Sequence, residues 1–301
     1  MSQATPLNDK IHFCYYVVAL IDVLGQCEKL KSLTEIPKTP EKIQEFNKVV
    51  KETFGTIECL REQFRNSFET HRSPSRLPEE QLKNHPAGIV DEFMARELRL
   101  GEVYFSDTFL FHAPVYRVGA HLSINEVYAM ITASGAIMQA ALAGEVALRG
   151  GIDIGIAAEL RPNDLYGRAL CQVEYLEKHV ALYPRIVVGK ELRDFIEGEA
   201  SIVGTDLPGM VYTLMARSCM DLIPFDFDGI PFVDFLGPVM RRIAGKIDSG
   251  HQQMIQDGLA FVVREHERFK NNSMHSEGDR KLAQRYALLR GYYQSKIGLW
   301  T

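Results

Sequence analysis

Two aspartates at the ends of short apolar segments are the residues with the most informative chemistry in this sequence. Asp22 follows the apolar and aromatic run 15–21, and Asp107 comes between the apolar segments 103–105 and 108–111. A buried carboxylate costs free energy unless a cation or several hydrogen-bond donors compensate it. Hard oxygen ligands on rigid elements suit Mg²⁺ and Mn²⁺, and two such ions about 3.5–4 Å apart carry out phosphate chemistry. The pair therefore predicts a metal site that acts on a triphosphate.

Each aspartate also has a purely structural interpretation. Asp22 fits the N-cap of a short helix near Gln26, because aspartate is a favoured N-cap residue. Ser106 and Asp107 fit the tip of a tight hairpin between two strands. If this hairpin lies beside the first strand, the two aspartates converge at one end of a sheet. We favour this convergence, and with it metal binding, over a cap and a turn.

Two arginines before predicted strands are candidates for binding phosphate. Arg149 precedes Gly150 and Gly151 in a glycine-rich strand, where missing side chains indicate the close approach of a ligand or another chain. Arg185 precedes the apolar run 186–188. The alternatives are an arginine that closes a helix against its dipole for Arg149, and a surface arginine for Arg185.

The elements that must position these residues alternate between strands and helices. Apolar residues recur at helical spacing over 40–70 and 123–148, and prolines interrupt the polar stretch 71–88, which we interpret as an exposed loop. The later predictions are a helix from Ala169 to about Tyr183, strands at 210–214 and 222–233 with a turn at Asp228-Gly229, and helices from Val239 to Lys296. This order predicts an α+β fold, in which helices pack on a largely antiparallel sheet.

Composition narrows the classes of function. The 301 residues are 46% hydrophobic and carry a formal net charge of −5, which argues against a general nucleic-acid-binding surface. The five cysteines lack a C-x-x-C pair, so we expect reduced thiols and a cytoplasmic location. Residues 1–10 lack the apolar segment of a signal peptide, and no apolar run approaches the roughly 20 residues that span a bilayer. We therefore expect neither nucleic acid nor a membrane as a partner.

The motifs taken together resemble those of class III nucleotide cyclases. Four landmarks match in order: the strand that ends in Asp22-Val-Leu-Gly, the Ser106-Asp107 hairpin, the Arg149-Gly-Gly-Ile strand, and the segment from Asp164 to Glu177. The resemblance covers roughly residues 13–235. It implies a cyclase-like, ferredoxin-like catalytic domain at 1–237 and a C-terminal helical extension at 238–301.

The resemblance also implies a role for each matching residue. Asp22, Asp107 and the carbonyl of Val23 would hold two Mg²⁺ or Mn²⁺ ions per site. Backbone groups of the loop after Asp22 would bind the phosphates of the nucleotide, and the residues concerned are Val23, Leu24, Gly25 and Gln26. One ion would lower the pKa of the ribose 3′-hydroxyl that attacks the α-phosphorus, and the other would help pyrophosphate to leave.

Such cyclases form head-to-tail homodimers with shared sites, so the segment with Asp164 and Tyr175 would face the aspartates of the other subunit. Asp164 matches the acid that contacts the base. Tyr175 stands where purine cyclases have the arginine that stabilises the transition state, and a tyrosine lacks that positive charge. Another cation must then act in an active enzyme, and Arg149 and Arg185 are the candidates.

The departures from purine cyclases are shared by the bacterial pyrimidine cyclases of Pycsar antiphage defence, which the sequence resembles. Val103 stands at the position of the adenine-reading lysine, and Cys171 at that of the ribose-orienting asparagine. Bulky side chains such as Tyr104 or Tyr175 would narrow the base pocket. The resemblance implies conversion of UTP, or of CTP, to the 3′,5′-cyclic nucleotide, which a separate effector would read.

Two alternatives remain open at this point. One is a purine cyclase with a rearranged set of transition-state residues. The other is a degenerate cyclase fold that binds nucleotide as a regulatory module.

Overall fold

The computed structural model describes residues 13–26, 30–31, 34–72, 100–115, 117–118, 121–122, 124–161, 164–202, 207–245, 249–274 and 276–301. Of the predicted loop 71–88, residues 71 and 72 belong to a helix, and 73–88 lie outside the described residues.

A six-stranded sheet forms the centre of the structure. Its strands are β1 (Cys14–Val23), β2 (Gly101–Phe105), β3 (Thr108–Val115), β6 (Leu148–Arg161), β7 (Asp164–Gly167) and β8 (Ile186–Val188), while β4 (Arg117–Val118) and β5 (His121–Leu122) pair separately. The order is β2-β3-β1-β6-β7, and β8 also pairs with β6. Within this sheet the pairing of β6 with β8 is parallel and the others are antiparallel. The predicted α+β fold with a largely antiparallel sheet is confirmed.

Two long helices, α1 (Pro40–Arg72) and α2 (Asn125–Ala143), cover one face of this sheet. Alternate residues of β1 point to this face, where Val17, Ala19 and Ile21 are fully buried. Helix α2 packs on β1, β3 and β6, and α1 packs on α2. The ring of Phe64 in α1 stacks on that of Phe111 in β3, with centroids 3.8 Å apart. We call this side of the sheet the α1–α2 face.

A shorter helix, α3 (Arg168–Tyr175), covers part of the opposite side, the α3 face, and continues into a π-helical turn at Leu176–Val180. Glycines of β6 permit its close approach. A Cβ atom at Gly151 would lie 2.5 Å from Leu176 Cβ, and one at Gly155 would lie 2.6 Å from Gln172 Oε1. The sequence predicted a ligand or another chain at this glycine-rich strand, but the close neighbour is the protein's own helix.

The remaining helices are α4 (Lys190–Ser201), α5 (Leu207–Leu222), α6 (Pro238–Ile243), α7 (Ser249–Asn272) and α8 (Glu277–Lys296), followed by a 3₁₀ turn at Ile297–Leu299. Helices α7 and α8 pack on each other, and α7 packs on α2. The predicted C-terminal extension therefore shares the main hydrophobic core, to which it contributes Phe261, Leu289 and Trp300. Among the described residues, no helix combines the length and apolar character needed to cross a membrane.

Several predictions for the second half of the chain were wrong. The segment 210–214 belongs to α5 rather than to a strand, and buried residues of that helix recur at Tyr212, Ala216, Cys219 and Leu222. A five-residue window is too short to show this helical period. At 222–233 the predicted turn is present, with Gly229 at a φ of 76°, but its flanks form isolated bridges instead of strands. Helix α4 was not predicted.

Candidate functional site

Three side chains form a row across adjacent strands at one end of the α3 face. In the sheet register, Asp22 of β1 lies opposite Thr108 of β3 on one side and Arg149 of β6 on the other. Paired residues of antiparallel strands point to the same face. The Thr108 hydroxyl donates to Asp22 Oδ1 at 3.0 Å, and Arg149 Nη2 lies 4.0 Å from Asp22 Oδ2. The fold thus holds a carboxylate between a hydroxyl and a cation.

The second aspartate reaches the same end of the sheet through the β2–β3 hairpin. Ser106 and Asp107 form its two-residue turn, and Ser106 has a left-handed φ of 56°. The N–H of Val23 donates to the backbone oxygen of Asp107 at 3.0 Å, which attaches the turn to the residue after Asp22. The charge of Asp107 also acts on the Asp22 carboxyl and raises its pKa. The two aspartates converge, as the hairpin interpretation predicts.

Glu177 completes this cluster, and the sequence analysis did not assign it a role. It lies in the π-helical turn after α3 and is 4% exposed. Its Oε1 accepts hydrogen bonds from Arg149 Nε at 2.8 Å and from Arg149 Nη2. π-Helical turns are rare and recur at functional sites. Because Arg149 lies within β6 and contacts two carboxylates, the alternative role of closing a helix is excluded.

The electrostatics of the cluster favour an added positive charge. Burial raises the pKa of the Asp22 carboxyl, and the negative charges of Glu177 and Asp107 raise it further. The hydrogen bond from Thr108 and the charge of Arg149 act in the opposite direction. Three carboxylates beside one arginine leave excess negative charge, which a divalent cation would relieve.

The oxygen donors at this end of the sheet fit a divalent metal ion. The candidate ligands are the carboxylates of Asp22 and Asp107 and the backbone carbonyl of Val23, all hard oxygens of the kind that Mg²⁺ and Mn²⁺ bind. Within the described ranges, no three His, Cys, Asp or Glu side chains are grouped to hold a metal. An ion here would therefore take its other ligands from water and from the phosphates of a substrate, as Mg²⁺ commonly does.

The loop after Asp22 offers fewer amides for phosphate than the resemblance implies. The N–H of Val23 is engaged with Asp107, and that of Leu24 donates to the backbone oxygen of Ala147 at 2.9 Å. These bonds contradict the predicted role of the two amides in binding phosphate. Gly25, with a φ of 84°, and Gln26 remain candidates. The Gln26 side chain is buried, and its Oε1 has no hydrogen-bond partner within the described structure.

Tyr104 lies on the opposite side of the sheet from Asp22. It pairs with Phe109, which pairs with Ile21, and these residues point to the α1–α2 face. Its ring packs on Arg61 of α1, whose guanidinium carbon is 3.1 Å from the ring centroid. Tyr104 therefore does not reach the Asp22 site of its own chain, and its role in narrowing a base pocket stays a prediction. Val103, its neighbour, alternates to the α3 face.

Arg185 is enclosed by its own chain and is 1% exposed. Its guanidinium donates to Asp226, to Asp228 Oδ1 at 3.0 Å and Oδ2 at 2.6 Å, and to the backbone oxygen of Val180 at 3.3 Å. Burial opposes its charge, but the hydrogen bonds of Asp228 and Asp226 raise the pKa of Arg185. The guanidinium of Arg185 thus holds the 226–229 turn. Because it is buried in these contacts, the structure contradicts the predicted catalytic role.

Asp164 lies far from Asp22 within the same chain, and Tyr175 is exposed at the end of α3. Asp164 begins β7 opposite Arg161, whereas Asp22 pairs with Arg149 at the other end of β6. These positions on β6 are about 40 Å apart at roughly 3.3 Å per residue. Tyr175 is 61% exposed, and its ring centroid lies 5.2 Å from that of His179. Tyr175 is therefore not a core residue of this chain.

The sequence reasoning missed two members of the cluster, Thr108 and Glu177. A signal for Thr108 was its position next to Asp107 at the hairpin tip, and one for Glu177 was an acidic residue beside the apolar Leu176 on a helix.

No protein-family model matches this chain, and a search of curated proteins found no significant match.

Proposed function

We propose that this protein is a metal-dependent pyrimidine nucleotide cyclase, which converts UTP, or CTP, to the 3′,5′-cyclic nucleotide and pyrophosphate. The observation that carries the proposal is the attachment of the Asp107 turn to Val23, which sets two acidic residues side by side at the end of the Thr108–Asp22–Arg149 row. The resemblance stated above gives this geometry its reaction type. We also propose that the six-stranded sheet and its helices form a class III cyclase-like fold.

In this proposal, Asp22, Asp107 and the Val23 carbonyl hold the metal ions. A bound divalent ion would supply positive charge that activates the 3′-hydroxyl and neutralises the triphosphate. Thr108 keeps Oδ1 of Asp22 engaged, so Oδ2 would be the oxygen left to hold an ion. Glu177 orients Arg149 beside Asp22, where the guanidinium can bind a phosphate oxygen.

The proposed enzyme works as a homodimer in the cytoplasm. Because Asp164 and Asp22 lie toward opposite ends of β6, an Asp164 that contacts the base must come from a second copy of the chain. The cytoplasmic location rests on the cysteines of the sequence, which lack a C-x-x-C pair. The cyclic product would act on a separate effector in antiphage defence.

A second candidate, a nucleotide-binding regulatory module, is favoured by one observation. Arg185 is locked to Asp226 and Asp228, and Tyr175 brings no positive charge, so two positions expected to serve the transition state lack an available cation. A purine cyclase is the alternative within the same reaction class.

The product formed from each of the four NTPs distinguishes these candidates. Purified protein is incubated with Mn²⁺ and one NTP, and the products are resolved by mass spectrometry. We expect cyclic UMP or cyclic CMP. Cyclic AMP or cyclic GMP would identify a purine cyclase, and bound but unchanged nucleotide would favour the regulatory module.

A further inference from the structure

A continuous apolar stripe runs along α1, but its own chain buries only the C-terminal part of it fully. In that part the residues at intervals of three and four are at most 9% exposed, and they are Ile57, Leu60, Phe64 and Phe68. The same intervals continue toward the N-terminus through four residues that we call the α1 seam: Ile43, Phe46, Val50 and Thr53. Within the seam Thr53 is buried, whereas Ile43 is 43% and Val50 38% exposed. Such a repeat is typical of a helix that packs on another helix along its whole length.

The α1 seam lies beyond the end of α2. The last turn of α1 is at the start of α2, where the ring centroids of His71 and Tyr128 are 6.4 Å apart, and α1 packs along α2. The two helices are therefore antiparallel. At about 1.5 Å per residue in both helices, Ala143 at the end of α2 lies level with about residue 56 of α1. Residues 40–55 thus form a projecting half of α1 that extends about 24 Å past α2.

The projecting half of α1 has a composition that does not sustain a helix alone. Val49, Val50 and Thr53 are β-branched, and Gly55 follows them; both kinds of residue lower helix propensity. Isolated helices of this length are marginal in water even when their sequences are favourable. Among the described helices, α2 is the one that packs extensively on α1, and it ends before the seam. The projecting half therefore needs a further partner along the seam.

A second copy of α1 fits the seam in charge and in direction. The whole chain carries a formal net charge of −5, but the projecting half is neutral because it contains three glutamates and three lysines: Glu41, Glu45, Glu52, Lys42, Lys48 and Lys51. Two copies of this segment therefore have no net repulsion. A parallel partner helix on the seam would collide with the end of α2. An antiparallel partner avoids this collision, because each α1 would begin where the α2 of the other copy ends.

We propose that the projecting half of α1 binds the same segment of a second copy of the chain as an antiparallel helix pair. A two-fold axis would set Phe46 of each copy opposite Val50 of the other, and Ile43 opposite Thr53. Each α1 would begin in line with the α2 of the other copy, so the positive end of one helix dipole faces the negative end of the other. Helix α2 has no basic residue in its last turn to offset that negative end. The contact is distinct from the shared site of the proposed function, because α1 covers the sheet face opposite to Asp22.

The mass of the full chain in solution, measured by sedimentation over a range of concentrations, tests this association. The variants are Ile43→Glu and Val50→Glu, and the matched control is Met274→Glu, which changes another apolar side chain that is 87% exposed. Because the two-fold contact buries a carboxylate from each copy, we expect either seam variant to raise the dissociation constant at least about 100-fold. Its mass should be half that of the wild type, whether the wild type is a dimer or a larger assembly, and Met274→Glu should match the wild type. Equal masses of the wild type and of seam variants that are folded by circular dichroism would overturn the inference.

Disulfide cross-linking tests the direction of the helix pair. The double variant Phe46→Cys with Val50→Cys should form a covalent dimer on oxidation with copper phenanthroline, because the antiparallel register sets these two positions at one level. Mass spectrometry of the digested dimer identifies the linked positions. The single variant Val50→Cys should give no link between the two copies of position 50. A link between these copies would indicate a parallel pair, and a double variant without the expected link would exclude the contact, so either result would overturn the inference.

Discussion

Replacing Arg185 distinguishes a structural arginine from a catalytic one. In Arg185→Ala, the carboxylates of Asp226 and Asp228 lose their buried partner. Their side chains are only 11% and 22% exposed, so water can replace the lost arginine only in part. Removing one member of a buried ion pair costs about 3–5 kcal/mol, because the remaining charge stays uncompensated. At roughly 2–4 °C per kcal/mol for a large domain, the melting temperature should fall by on the order of 10 °C.

Thermal unfolding followed by circular dichroism measures this shift. The matched control is Arg168→Ala, which breaks the exposed ion pair with Glu191 and should cost less than about 1 kcal/mol. A triple variant, Arg185→Met with Asp226→Asn and Asp228→Asn, removes all three charges and should recover much of the loss. If Arg185→Ala unfolds within about 1 °C of the wild type but has lost turnover, the arginine is catalytic and our structural assignment is refuted.

Three further predictions concern stability. Burial raises the pKa of Asp153 from 3.8 to about 7, so the folded protein binds a proton that the unfolded chain releases. The contribution of Asp153 to the free energy of unfolding should fall by a few kcal/mol as pH rises from about 4 to 7. In urea titrations across this range, the free energy of unfolding of the wild type should therefore decrease relative to that of Asp153→Asn; parallel pH profiles of the two proteins would exclude this role of Asp153. Gly151→Ala should lower the free energy of unfolding by about 1–3 kcal/mol, because the added Cβ would meet Leu176. The control is Gly198→Ala, at an exposed helical position with open space for a Cβ. In the same urea titration this control should be neutral or stabilising. Deleting residues 249–301 should leave no soluble, folded protein. Each buried side chain such as Phe261, Leu289 and Trp300 contributes roughly 2 kcal/mol, and their sum is comparable with the total stability of a domain. A fragment that is soluble on size exclusion and melts cooperatively would contradict this.

The elements with strong local signals could be predicted from sequence alone. The run 15–21 is a central strand because its β-branched residues are buried on both faces, and the Ser106-Asp107 pair forms the predicted hairpin turn. The glycines of β6 indicated a close neighbour, but the pattern did not identify it as α3. The sequence indicates that glycines leave space beside the strand, but only the tertiary structure shows which element occupies that space.

The predicted roles of some site residues disagree with the structure because contacts between residues far apart in sequence, and the pairing of strands, decide where each side chain points. Arg185 looked available as a cation, but its partners Asp226 and Asp228 lie about 40 positions further along the chain. Tyr104 looked close to Asp107 in sequence, but strand alternation turns it to the α1–α2 face. Glu177 has a place in the site only through its hydrogen bonds to Arg149, 28 positions earlier in the chain, and no spacing rule anticipates this pairing.

The most direct test of the account is the amount of cyclic nucleotide formed by Asp22→Asn and Asp107→Asn relative to the wild type, with UTP and CTP in Mn²⁺. Asp221→Asn, at an exposed position on α5, is the matched control. We expect cyclic UMP or cyclic CMP from the wild type and the control, and at least a 100-fold loss (about 2.7 kcal/mol) in each site variant. Undiminished product from folded Asp22→Asn and Asp107→Asn would contradict the assignment of the metal site.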